Sequence, residues 1–382
     1  MSEKKRPLGL KANRDIAKKS KDYREQKPGN SALSSNQTHA TDEEVLSLPN
    51  ELPVLDSLFN MAISAHLEDD PQCLKWFNGT IHECDAMLRN GGDLPPNFYL
   101  VYGDSLFYLA TVESDFNPEI YEKDFEKLRM DSEFLEAAKE KYHEGLEESK
   151  DWNLKFSLSR CYLRQLVITN SWNSKKSDYS PEETLDSVCK YLENGLSDLK
   201  EDPKKLFENV FLINSLLVHL SEFLESDLSL KYQFLLHANR FLKSLLEIES
   251  DTMEPSVYLA FIEIGRNFLL IGNTFEKTDR TKAATRAYRR GATYCTKGLT
   301  FADKYNLESE ADHFHLLGEL HLHQGNNLSG RSRHLEYKLA AECFMECEVM
   351  GFELEDHLKS FIEETQNGMD TDFFSSDLES CD

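Results

Sequence analysis

Residues 261–272 read Phe-Ile-Glu-Ile-Gly-Arg-Asn-Phe-Leu-Leu-Ile-Gly, and their reading decides the fold. Bulky Phe261, apolar Ile264, small Gly265, bulky Phe268 and small Gly272 keep the spacing of the first helix of a tetratricopeptide-type hairpin. The same spacing recurs in Phe314, Leu317, Gly318, His321 and Gly325, and in Tyr99, Tyr102, Gly103, Leu106 and Ala110. A second helix of such a unit alternates small, bulky and small residues, so that two backbones approach closely while an aromatic ring fills the groove beside them. Ala138, Tyr142 and Gly145 fit that helix, as do Ala284, Tyr288 and Gly291, and Ala340, Phe344 and Cys347.

Outward from these segments, apolar residues recur at three- and four-residue spacing from about residue 51 onward, with strand-like alternation nearly absent. Helical runs are read at 76–89, 97–112, 132–148, 153–168, 181–199, 203–224, 229–248, 255–271, 280–304, 308–324, 332–350 and 353–365. Asn90-Gly91-Gly92 stops the first, and Pro181 and Pro203 open two others at the position where a first-turn proline is tolerated. Hairpins are expected near 97–148, 153–199, 203–248, 255–302 and 308–350, with 76–89 capping the start. Long turns are expected inside them, at 116–130, 275–282 and 329–337. The fold class is all-α, an irregular tetratricopeptide-like helical-hairpin solenoid. Its domains are a disordered basic tail over 1–50, the repeat domain over 51–365 and an acidic disordered tail over 366–382. A hairpin with one apolar face must stack on neighbours, and stacking leaves a groove lined by first-helix residues. Projected onto the pattern, that groove holds Asp104, Phe107, Tyr108, Arg266, Leu269, His315, Glu319 and His323.

The formal charge of −25 is uneven: residues 1–27 carry ten Lys/Arg against four Asp/Glu, leaving the remainder at −31. Such a body repels phosphates and favours basic protein partners, so no direct nucleic-acid binding is expected. Lys4, Lys5 and Arg6 are separated by eleven residues from Lys18, Lys19 and Lys21, the spacing of a bipartite nuclear import signal read by an importin. A merely solubilising basic tail is the plainer alternative. The eight cysteines are scattered with no Cys-x-x-Cys pair, which reads as reduced, buried thiols. No N-terminal apolar segment suggests a signal peptide, and 207–220, the most apolar stretch, is too short and too polar for a bilayer.

His82-Glu83-Cys84-Asp85-Ala86 begins like a zinc-protease helix but has Ala86 where the second histidine would stand, leaving a partly buried His and Cys. His315, Glu319 and His323 share one helical face, with His313, His321 and His334 nearby. That triplet reads as a zinc site, a partner contact or plain surface, the last two being favoured. No phosphate loop, dinucleotide fingerprint or nucleophile elbow occurs, so no catalytic residue, cofactor or metal is expected. The segment 370–382 joins Phe373-Phe374 to Asp and Glu, with Ser376 placed as acid-directed kinases prefer. It reads as a solubilising tail or a short linear motif.

Two segments carry a family resemblance: Lys5-Arg6-Pro7-Leu8-Gly9-Leu10, and Asn78-Gly79-Thr80-Ile81-His82-Glu83-Cys84-Asp85-Ala86-Met87-Leu88-Arg89. The chain resembles the fungal enhancer of translation termination family, which includes a fission-yeast negative regulator of a prolyl-hydroxylase-like dioxygenase. The resemblance implies a non-catalytic nuclear protein, with some in the cytoplasm. Its partner would be an Fe(II)/2-oxoglutarate prolyl-hydroxylase-like dioxygenase acting on a small-subunit ribosomal protein. By occupying that enzyme it would stabilise a sterol- and hypoxia-response transcription factor, place the chain in oxygen sensing, and influence translation termination. The alternative is a nuclear-import adaptor or chaperone for the basic ribosomal protein and its hydroxylase.

Overall fold

The computed structural model describes residues 52–91, 93–116, 125–173, 180–199, 202–225, 227–247 and 254–372. Among them are thirteen helices and no strand: α1 Leu52–Leu67, α2 Cys73–Asn90, α3 Pro96–Phe116, α4 Phe125–Glu148, α5 Trp152–Asn173, α6 Pro181–Ser197, α7 Pro203–Glu222, α8 Leu228–Leu245, α9 Glu254–Glu276, α10 Thr281–Tyr305, α11 Ala311–Asn326, α12 Gly330–Val349 and α13 Asp356–Asp372. The helix starts follow from local chemistry. Ser180, Asp202 and Asp227 each accept a hydrogen bond from a backbone N–H three residues on, at 3.3, 3.2 and 3.0 Å, just before α6, α7 and α8. Asn306 ends α10 in the left-handed region at φ 53°, and Leu307 N–H closes the turn onto the Ala302 carbonyl at 2.9 Å.

The chain forms two compact units, residues 1–174 and 175–382. In the first, α1 pairs with α2 and α3 with α4, and α5 packs on α3 and α4. In the second, α7 pairs with α8, α9 with α10 and α11 with α12, each pair packing on the next, and α13 closes on α12. These are the expected stacked hairpins, with one helix, α1, that the sequence reading did not delimit.

Three expectations are corrected. The hairpin over 153–199 does not form as one element, because α5 falls in the first unit and α6 in the second. Two of the three expected long turns are short: α9 and α10 are joined by 277–280, and α11 and α12 by 327–329, while the connection between α3 and α4, 117–124, lies outside the described residues. The residues beyond a regular repeat lie in the helices instead, α9 and α10 running to 23 and 25 residues. Finally, α13 continues to Asp372, so the first residues of the expected acidic tail are helical. The expected tail over 1–50, its import signal, and Ser376 lie outside the described residues.

Close packing explains the small–large alternation that announced the fold. A Cβ on Gly103 would lie 2.4 Å from the Tyr142 ring, one on Gly272 2.1 Å from Tyr288, and one on Gly318 2.6 Å from Phe344. All three rings are fully buried. In these three hairpins, glycine on the first helix is therefore the seat of an aromatic from the second, which lets large apolar area be buried between close backbones.

One buried polar chain ties three helices of the second unit. His313 of α11 is fully buried, and its Nε2–H donates to the Cys295 carbonyl of α10 at 2.8 Å. Its Nδ1 accepts from the Tyr258 hydroxyl of α9 at 2.9 Å. Burial pulls the imidazole down from its ordinary value to about 4, so it is neutral at pH 7. The neutral form is the one the fold holds. The stability it contributes is complete above about pH 6.5 and is lost as pH falls toward 4, on the order of 3 kcal/mol in all. Unfolding free energies measured between pH 7.5 and pH 4 should fall more steeply for the wild type than for His313→Gln. Parallel curves would contradict the assignment.

Candidate functional site

The sequence-predicted groove positions fall on three helices in two units. In the first, Asp104, Phe107 and Tyr108 stand on α3 and are gathered around a residue the sequence reading missed, Arg160 of α5. The Arg160 guanidinium donates to Asp104 at 2.8 Å and lies 3.9 Å from the centroid of Phe107 and 5.3 Å from that of Tyr108. The Tyr142 hydroxyl donates to the same Asp104 oxygen at 2.5 Å. Burial, and then the nearby Asp104 charge, push the Tyr142 phenol well above its ordinary value, so it remains a donor. Phe107 is buried, while Tyr108 is half-buried and stacks on Phe77 at 5.0 Å. Here groove positions double as the joint between α3, α4 and α5. The sequence offered little to single out Arg160, because 154–168 also holds Lys155, Arg164 and Gln165, and only the packed structure shows which of these cations is enclosed among aromatic rings.

In the second unit, Arg266 is exposed on α9 and pairs with Glu263 at 2.7 Å. Leu269, three residues on, is half-buried against the α9–α10–α11 core. His315, Glu319 and His323 do occupy one face of α11, but they turn to different neighbours. His315 packs on Phe344 and Phe352 at 5.6 and 5.2 Å and stands 3.9 Å from Glu319. His323 stacks on Tyr288 at 5.0 Å and meets Glu276 of α9 at 3.7 Å. Of the nearby histidines, His313 is core, and His321 meets Glu336 of α12 at 2.7 Å. No three His, Cys, Asp or Glu side chains among the described residues come together as a metal site.

The His82–Asp85 segment lies on α2. Cys84 is fully buried, and its thiol is pushed well up by burial. His82 is exposed, which corrects the partly buried reading, because the turn places it on the face opposite Cys84. Asp85 accepts from the Tyr102 hydroxyl of α3 at 2.5 Å, fastening α2 to α3. All described cysteines are free; Cys343 is half-buried and the others are buried, with Cys295 raised to about 12 by burial. No described helix is long and apolar enough to cross a membrane. Along the first helices the side chains are a mixture of paired charges, half-exposed aromatics and histidines.

These features define a tandem helical-hairpin protein whose first helices carry mixed polar and aromatic faces. The family model described as nuclear pore complex subunit Nro1 matches residues 1–234. The chain belongs to that family. Among curated relatives, enhancer of translation termination 1 of Lodderomyces elongisporus is 30% identical over 183 residues, covering 43% of this chain and 34% of the relative. The Schizosaccharomyces pombe protein named negative regulator of ofd1 is 23% identical over 216 residues, covering 51% of this chain and 54% of the relative. The matches thus span about a third to a half of those relatives' lengths. A solved structure of the S. pombe nuclear import adaptor Nro1 covers 81% of this chain and 97% of its own, at 18% identity and a TM-score of 0.45.

Proposed function

We propose that this chain is a non-catalytic nuclear adaptor and regulator that binds a prolyl-hydroxylase-like 2-oxoglutarate dioxygenase and holds it from its action on a transcription factor. The observation that carries this reading is family membership over residues 1–234, together with a relative named negative regulator of ofd1. The first-helix faces are the docking surface in this reading, with Arg266, Leu269, His315, Glu319 and His323 in one unit and Tyr108 in the other, where Asp104 and Phe107 are taken up by the α3–α4–α5 joint. Oxygen is sensed by the partner, and the effects on sterol and hypoxia response and on translation termination follow from its restraint. The basic clusters Lys4–Arg6 and Lys18–Lys21 supply the import signal, and Ser376 is a phosphorylation site in the acidic tail.

The test is affinity purification of the full chain at low and high oxygen, followed by mass spectrometry. The dioxygenase should co-purify with the wild type and be lost from Arg266→Glu and His323→Glu variants. Its absence from the wild-type eluate would sink the partner, and its retention by both variants would sink the surface. A second reading rests on the charge of −25: an import adaptor or chaperone for a basic small-subunit ribosomal protein. It predicts that the basic protein is captured even from cells lacking the dioxygenase.

A further inference from the structure

Helix α10 is out of character with the rest of the chain. Its 25 residues hold six Lys/Arg, Lys282, Arg286, Arg289, Arg290, Lys297 and Lys304, against the single acid Asp303. At about 100° per residue the six fall in one sector roughly 100° wide, opposite the buried Ala284, Tyr288, Cys295 and Ala302. All six are exposed. The sector contains no carboxylate, and it runs about 33 Å along the helix axis.

On several other helices cations are paired within the helix. Arg129 meets Glu126, Lys139 meets Glu136, Lys141 meets Glu144, Arg266 meets Glu263, and Lys338 faces Glu342. On α10, no described carboxylate forms an ion pair with any of the six; Lys297 and Lys304 lie over the rings of Tyr294 and Tyr305 instead. Arg286 also has Lys282 and Arg290 four residues away on either side, an arrangement that disfavours an isolated helix. In a chain of charge −25, an unneutralised row of cations is a surface complementary to an anion.

One edge of the row is aromatic. Tyr294 and Phe301 are half-buried and Tyr305 is exposed, and Phe301 packs on Tyr305 at 4.5 Å. Lys243 of α8 adds a further cation 5.3 Å from the Tyr294 centroid.

We propose that the exposed face of α10 is a docking surface for an acidic, aromatic-containing peptide segment of a partner protein. An extended peptide of about ten residues spans the row. Its carboxylates take the guanidinium forks of Arg286, Arg289 and Arg290 in paired hydrogen bonds, and an aromatic side chain packs at the Tyr294–Phe301 edge. A long nucleic acid fits poorly, because its phosphates continue past the row onto a strongly acidic body. This site is separate from the first-helix faces of the proposed function, and it calls for a partner segment of the opposite charge.

The experiment is fluorescence anisotropy on the full chain. The probe is a labelled synthetic peptide of about twelve residues, mainly Asp and Glu with two Phe. A peptide of the same length with Lys for every acid, and a labelled single-stranded DNA, are measured beside it. The acidic peptide should bind, and binding should weaken at least about tenfold in Arg286→Glu/Arg289→Glu/Arg290→Glu. The charge-neutral variant Arg286→Gln/Arg289→Gln/Arg290→Gln should weaken it less, and serves if the reversal disturbs folding as judged by the thermal transition. Equal peptide binding by wild type and the glutamine variant overturns the proposal. So does DNA that binds more tightly than the peptide and is lost in the same variants.

Discussion

Tyr142→Ala should lower the stability of the first unit by about 3–5 kcal/mol, the range for deleting a large buried aromatic. The ring is fully buried against Gly103. Removing its hydroxyl also takes a donor from Asp104, which then keeps only Arg160 as a partner across the helix interface. Tyr142→Phe separates the two contributions, because it keeps the ring and should cost about 1 kcal/mol, the worth of one hydrogen bond. Denaturant unfolding followed by circular dichroism measures both. A loss below about 1 kcal/mol for the alanine variant would mean that the α3–α4–α5 joint is not held as described.

Gly272→Ala should destabilise the second unit by about 1–3 kcal/mol, although glycine to alanine in an exposed helix normally stabilises by up to about 1 kcal/mol. The sign reverses because the new methyl would sit 2.1 Å from the Tyr288 ring. That ring cannot withdraw easily: its hydroxyl donates to Asn273 at 2.8 Å, and His323 stacks on it at 5.0 Å. Combining Gly272→Ala with Tyr288→Leu should recover part of the loss, since a smaller side chain relieves the clash. A double-mutant cycle without coupling between the two positions would contradict the close approach.

Much of the fold was legible because its constraint is local and periodic. The glycines and aromatics of 99–110, 261–272 and 314–325 stand at fixed helical spacings, and the structure seats a ring from the next helix on Gly103, Gly272 and Gly318. Helix lengths were less legible. The run read at 132–148 is helical from Phe125, where burial of Leu128 holds the added turns, whereas the run read at 280–304 matches the observed Thr281–Tyr305 closely. The cationic face of α10 was written in the sequence but hidden by averaging. A net charge sums over the chain, whereas the sector appears only when residues 282–304 are wound on a helix and their buried face is known.

By itself, then, the sequence determined the all-helical class, the alternating small and bulky contacts, and the family likeness carried by 5–10 and 78–89. Only the tertiary structure decided that α5 belongs with α3 and α4 through Arg160, and that α6 belongs with α8 through His237–Asp186 and Arg240–Glu193. It also decided that His313 is a core residue, and that His315 and His323 face different neighbours. Helical spacing fixes which residues share a face. Which helix arrives to cover that face depends on contacts between residues far apart in the chain, and local periodicity carries no record of them.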